Sequence, residues 1–328
     1  PDPPASRLTG RNAHWRHLYN EDIISMPDKW EYPWYAAWDL AFQCIPMAMI
    51  DPVFAKHQLT LIMREWYMKP DGQLPAYEWN FSDVNPPVQA WAALKVYYIE
   101  KQQAGKGDIA FLKRVFHKLI INFTWWINRK DDNGNNIFQG GFLGLDNIGV
   151  FNRSHLHGDM VLEQADGTSW MGMYALNMMD MALEIAMHDD AFEDTATKFF
   201  EHFVLIAEAL NEQGLWNEED RFFYDTLTIA GSAPLHLRIH SIVGLTSLFA
   251  VSTIEKQVLS KLNDFRKRVS WFEEYRKKNK RFWPNEETSD GKTILLSLVP
   301  KERLQYLLER LLDEMVPWTF AQNHEVVV

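Results

Sequence analysis

Cysteine is nearly absent from this chain of 328 residues, with Cys44 the single one, so no intrachain disulfide is available. Cys44 lies in an apolar run and reads as a small core residue, compatible with a reducing compartment and a cytoplasmic location. Clustered positive charge is scarce too. The net charge is −11, and the Lys and Arg groups sit only around Arg266-Lys267-Arg268 and Arg276-Lys277-Lys278, which argues against a general nucleic-acid binder and reads as a solvated helix face. No apolar run reaches the length of a membrane span, so no membrane association is expected. The opening Pro1-Asp2-Pro3-Pro4 has neither an initiator Met nor a signal-peptide pattern, which gives the expectation that the natural N-terminus lies further upstream.

Several reactive motifs are missing as well. There is no phosphate-cradling Gly-Lys-Ser/Thr loop, no Gly-X-Ser-X-Gly elbow and no dinucleotide fingerprint. His155-Leu156-His157 lacks a third ligand at zinc-site spacing, and Asp131-Asp132-Asn133-Gly134 departs from a calcium loop after its first positions. No metal and no cofactor is therefore expected. Asn-X-Ser/Thr triplets at Asn80, Asn122 and Asn152 stand in no secretory context and read as chance.

What is present is a large apolar inventory, 47% hydrophobic and 14% aromatic, enough for an extensive core. Helical periodicity dominates and comes in pairs: Pro33 to Ile50 with Asp51 to Met68, Pro87 to Gln103 with Asp108 to Arg129, Thr168 to His188 with Asp190 to Asn211, Leu235 to Val251 with Thr253 to Lys278. A last helix is expected near Lys301 to Met315. Short turns at Asp51-Pro52 and Asp189-Asp190 alternate with long connections at 69–86, 131–167 and 212–234. A closed ring of helical hairpins would produce that alternation, with its long loops gathered over one mouth. Four hairpins and a ninth helix fall short of a six-hairpin ring, so the expectation is a chain that stops early.

The loop Gly140 to Ser154 places Asp146 among four glycines and the apolar Phe142, Leu143, Leu145, Ile148, Val150 and Phe151. Burial there would raise the pKa of Asp146 and keep it protonated as an acid; an isolated loop Asp is, however, more often a cap or turn anchor. In Trp30 to Asp39, Pro33 starts a helix whose first turns carry Trp34, Tyr35, Trp38 and Asp39, aromatic platforms beside a carboxylate that would suit a sugar. The loop Pro70 to Pro87 carries Tyr77, Glu78, Trp79 and Asp83, and could wall a cavity or simply be a rigid polar loop. In Glu163 to Trp170, Asp166 or Thr168 is expected to cap the next helix. Leu215 to Asp225 reads as a turn between two short extended pieces, with Tyr224 and Asp225 at either rim or core.

Taken together, Trp30 to Phe42, Gly72 to Trp91, Gly140 to Arg153, Gln164 to Trp170 and Trp216 to Asp225 resemble glycoside hydrolase family 63. The bacterial members are the nearest in pattern, among them relatives of processing α-glucosidase and hydrolases of glucosylglycerate and mannosylglycerate. The resemblance implies an all-α, (α/α)6 toroid of helical hairpins, one catalytic-type domain over residues 1–328 that lacks its last hairpins. It also implies hydrolysis of α-glucosides or α-mannosides with inversion, on small saccharides or glycerate-type aglycones. Gly144-Leu145-Asp146-Asn147 matches the motif of the general acid, so Asp146 carries that role over. Trp38-Asp39 matches the family's Trp-Asp pair, which implies that Asp39 binds sugar hydroxyls with Trp34 and Trp38 beside it. Tyr77, Glu78, Trp79, Gln139 and Asp166 carry over as further substrate-binding residues.

Inversion needs a protonated acid at the glycosidic oxygen and a second carboxylate roughly 6.5–9.5 Å away to activate water. The family supplies that base as a glutamate near a Gly-Trp-Thr-like segment, and this sequence has no such segment; Glu325 stands in no matching context. The expected partner is a small carbohydrate, and the chain alone is expected to hydrolyse little or nothing. The alternative from another class is a non-catalytic sugar-binding or structural toroid, the chain being an inactive fragment. A sugar epimerase comes third, with His236 and His240 poorly placed to serve it.

Overall fold

The computed structural model describes residues 5–9, 13, 22–78, 84–131, 134–138, 156 and 158–313. The chain divides into two compact units, residues 1–128 and 129–328.

The first unit consists of two helical hairpins. Helix α1 (Ala37–Ile50) hands over to α2 (Pro52–Leu61) through Asp51 alone, whose carboxylate accepts from the Phe54 amide at 2.9 Å while Pro52 opens the helix. Helix α3 (Gln89–Ala104) ends on Gly105, in the left-handed region at φ 74°, and α4 (Ile109–Ile127) starts under Asp108, which accepts from the Phe111 amide at 2.9 Å. These caps end and restart the helices within a few residues, so neighbouring helices run back along each other. Buried positions recur at helical spacing, with Leu40, Cys44 and Ala48 on α1, Ala55 and Leu59 on α2, and Leu112, Val115, Phe116 and Leu119 on α4. Lys56 ties α2 to α3 and to the cap of α4, at 2.6 Å from Glu100 and 2.8 Å from Asp108.

The second unit centres on α5 (Ala165–Ala186), which is buried on nearly all sides and packs along α6 (Phe192–Glu212). A helix apolar all round belongs in a core. Strand β1 (Met160–Glu163) precedes α5. After α6 come a hairpin of β2 (Trp216–Asn217) and β3 (Phe222–Phe223), then β4 (Thr226–Ile229) and β5 (Leu235–His236), with β4 paired antiparallel between β1 and β5. A 3-10 segment, Ile242–Phe249, leads to β6 (Val251–Glu255), α7 (Lys256–Lys261), α8 (Asn263–Lys278), β7 (Asn285–Glu287), β8 (Thr293–Ser297) and α9 (Lys301–Leu312). The last sheet is antiparallel in the order β6-β8-β7. Among the described residues, no helix is long and apolar enough to cross a membrane.

The architecture is helix-rich, and the expected all-α class is corrected by these eight short strands. The fourth expected hairpin is corrected as well. Leu235 to Val251 is not a helix but β5 and a 3-10 segment, because Gly244 is wedged against the Phe222 ring and the Phe223 carbonyl and Ser241 turns the chain by accepting from the Val243 amide at 3.3 Å. Val251-Ser252-Thr253-Ile254-Glu255 reads with period two and β-branched groups, which favours a strand.

Candidate functional site

In the first unit, backbone pairing gathers the candidate residues. The α2–α3 connection is fixed at Gly72, whose φ of 96° excludes larger side chains and whose carbonyl accepts from buried Asn122 Nδ2 at 2.8 Å. The connection then forms an antiparallel bridge between Ala36 and Tyr77: the Ala37 amide donates to Ala76 O at 2.8 Å, and the Glu78 amide donates to Tyr35 O at 2.9 Å. That bridge sets Tyr77 and Glu78 beside the first turn of α1, where Trp38 and Asp39 stand. Glu78 has a positive φ of 48°, an uncommon conformation for its type.

Asp39 is half-buried in the first helical turn, and burial raises its carboxyl above the usual range, partly offset by a backbone hydrogen bond. Trp34 packs edge-on against Tyr32 at 5.2 Å, while Trp38, Phe42 and Trp91 form an edge-to-face series at 6.0 and 5.4 Å. All of these aromatic groups except Phe42 and Tyr32 are half-buried.

Next to this cluster lies a small crevice lined by Ala37, Asn85, Gln89, Asn122, Trp125 and Trp126 among others, with room for a hydroxyl or a water rather than a whole sugar ring. Gln89 Nε2 donates to Ala37 O at 3.3 Å, and Asn85 Oδ1 is buried with no hydrogen-bond partner among the described residues. The sequence reading missed these carboxamides. Their signal was the polar Asn85 and Gln89 bracketing Pro86-Pro87 at the head of a helix.

In the second unit, Asp166 is fully buried in the first turn of α5 and accepts from the Gly167 amide at 2.8 Å. It is not the cap, nor is Thr168, whose hydroxyl donates to Gln164 O at 2.8 Å and accepts from the Phe138 amide at 3.1 Å. The cap comes from far along the chain: Asp225 Oδ1 accepts from the Ala165 amide at 2.9 Å. Glu163, just before α5, is held above the ordinary carboxyl range by burial and by the charge of Asp131. Beside Asp225, the Tyr224 hydroxyl donates to Asp220 Oδ2 at 3.0 Å and lies 2.8 Å from His240 Nε2, and Arg238 clamps Asp220 with bonds of 2.7 and 2.6 Å. The geometry thus brings together Trp38, Asp39, Tyr77 and Glu78, with Trp34 nearby in sequence. Asp146, Gln139 and Trp79 lie outside the described residues.

Residues 32–141 match the mannosylglycerate hydrolase MGH1-like glycoside hydrolase domain. The glycoside hydrolase family 63 mannosylglycerate hydrolase of Thermus thermophilus, solved in complex with Tris, is similar in fold: TM-score 0.55, 15% identity, 70% of each chain covered. Residues 32–141 thus carry the match to a glycoside hydrolase domain, and at 15% identity the likeness to the Thermus hydrolase is one of fold. The same Thermus hydrolase in complex with glucose superposes with a TM-score of 0.53 at 14% identity over 69% of each chain. Uncharacterized protein YMR196W of Saccharomyces cerevisiae is 52% identical over 333 residues, which is 96% of this chain but 30% of the yeast protein. The chain thus spans about a third of the length of that curated relative. The domain match reaches from the Tyr32 turn through α4 and includes Trp34, Trp38, Asp39, Tyr77 and Glu78, and it ends before Asp146 and Asp166.

Proposed function

We propose that this chain carries the sugar-binding and acid-donating part of an inverting glycosidase on an (α/α)6 toroid, acting on α-glucosides or α-mannosides of small saccharides or glycerate-type aglycones. The observation that carries the reading is the Ala36–Tyr77 bridge, which sets a Trp-Asp pair beside Tyr77 and Glu78 at the N-terminus of α1. Asp39 accepts hydrogen bonds from sugar hydroxyls, and Trp34 and Trp38 offer indole faces to the apolar side of the pyranose. The carboxamides of Asn85 and Gln89 supply neutral donors and acceptors at the crevice, where a single hydroxyl fits. Asp146 protonates the glycosidic oxygen. The water-activating carboxylate is not assigned to a residue of this chain.

Glucose, mannose and D-glycerate are titrated into the 15N-labelled chain while the indole resonances of Trp34 and Trp38 are followed. The reading predicts saturable shifts on adding hexose, weakened about 10- to 100-fold in Asp39→Asn, because a hydrogen bond to a charged acceptor contributes about 1.5–3 kcal/mol. Absence of any shift, or an equal affinity in the variant, overturns it.

A further inference from the structure

Helix α8 belongs to the stretch from Val251 to Ser297 in which strands interrupt the helical pattern, and it is strongly basic. Between residues 263 and 281 there are eight Lys and Arg against three Asp and Glu, in a chain whose net charge is −11. Its inner face is accounted for: Phe265 is buried against Phe200, and buried Arg276 lies 2.9 Å from Glu208 on α6. The outer flank is different. Trp271, 64% exposed, stacks on Tyr275, 52% exposed, with ring centroids 5.6 Å apart and planes only 13° off parallel. Lys267 stands one turn before Trp271 and Lys278 two turns after it, both exposed and on the same stripe of the helix. The contact of Lys267 with Asp264 is long, at 3.6 Å.

Two rings stacked on each other, each more than half exposed, with an ammonium group beyond each end of the pair, offer aromatic surface beside positive charge. We propose that this flank of α8 is a secondary binding site for an anionic saccharide, a sugar phosphate or a sugar acid, with the pyranose against the exposed aromatic surface of Trp271 and Tyr275 and the anion on the Lys278 ammonium, one turn beyond Tyr275. The choice of a saccharide rests on the glycosidase reading; the anionic charge follows from α8 itself. A short ligand feels this local positive field, because the Debye length at physiological salt is about 8 Å, whereas a long polyanion meets the repulsion of the acidic remainder.

The test follows the indole resonance of Trp271, identified by its disappearance in Trp271→Phe, as glucose 6-phosphate, glucuronate, glucose, inorganic phosphate and an eight-nucleotide oligothymidine are added to the 328-residue chain. Glucose 6-phosphate or glucuronate is expected to shift it saturably, at least about tenfold more tightly than glucose or phosphate alone. Tyr275→Ala and Lys278→Gln are each expected to weaken binding about tenfold, Lys278→Arg to restore it, and high salt to weaken it. The proposal is overturned if neither anionic sugar shifts the resonance, if phosphate alone binds as well, or if the oligonucleotide binds more tightly. Because the reporter is Trp271 and not Trp34 or Trp38, its outcome is separate from that of the catalytic-site titration.

Discussion

Replacing Asp180 by Asn should make the second unit more stable in mildly alkaline solution and leave it unchanged in acid. Asp180 lies on α5 and receives the Ser252 hydroxyl at 3.0 and 2.9 Å from its two oxygens. Burial pushes its pKa up to about 7, the Ser252 hydrogen bond offsetting only part of the effect. A folded-state value above the unfolded 3.8 means that the fold prefers the neutral acid. The penalty for ionising it is therefore absent below about pH 4, grows as pH rises from there, and is complete above about pH 7. At about 1.36 kcal/mol per pH unit the ceiling is about 4 kcal/mol, and the solvent contact the residue retains reduces the expected value to about 1–2 kcal/mol. Asparagine has nearly the same shape, cannot ionise, and keeps an oxygen for the Ser252 hydroxyl. Urea unfolding of both proteins at pH 4.5, 6 and 8 checks this: the midpoint gain of Asp180→Asn should be near zero at pH 4.5 and largest at pH 8. A variant no more stable than the parent at pH 8, or equally stabilised at all three values, refutes the reasoning.

Two further substitutions test the local architecture. Asp51→Ala removes the carboxylate that caps α2 and should lower stability by about 1 kcal/mol, seen as a lower thermal midpoint; an unchanged midpoint contradicts the capping role. Gly244→Ala pushes a methyl group into the Phe222 ring and the Phe223 carbonyl, and about 1–3 kcal/mol of destabilisation is expected in urea titration, with no loss arguing that the 3-10 segment can shift aside.

The helices that were legible are those whose signals are local. Asp51-Pro52 and Asp108 cap within three residues, and the apolar spacing of α4 fixes its face without help from the rest of the chain. The Leu215–Asp225 turn was also legible, as the β2–β3 hairpin. Leu235 to Val251 was not, since its apolar count suits a helix while the packing of Gly244 against β3 decides otherwise. The same distinction runs through the site. Trp38-Asp39 and Tyr77-Glu78 were visible as two motifs, but their adjacency arises from a bridge between residues 36 and 77, which no local pattern encodes. Asp225 capping α5 from 60 residues away escaped for that reason, and the local cap assigned to Asp166 or Thr168 was wrong because Asp166 accepts from the Gly167 amide and Thr168 bonds Gln164 O and the Phe138 amide instead.

The central claim is that Asp146 acts as the acid of an inverting glycosidase, and it is tested most directly by the hydrolysis of α-mannosylglycerate and α-glucosylglycerate. The assay uses the longest polypeptide that carries these residues, with the anomer of the released sugar read by proton NMR. The account predicts release of the inverted anomer and a loss of about 10²- to 10⁴-fold in Asp146→Asn, the usual contribution of a positioned acid. Undiminished hydrolysis in Asp146→Asn, or release of the retained anomer, would contradict it.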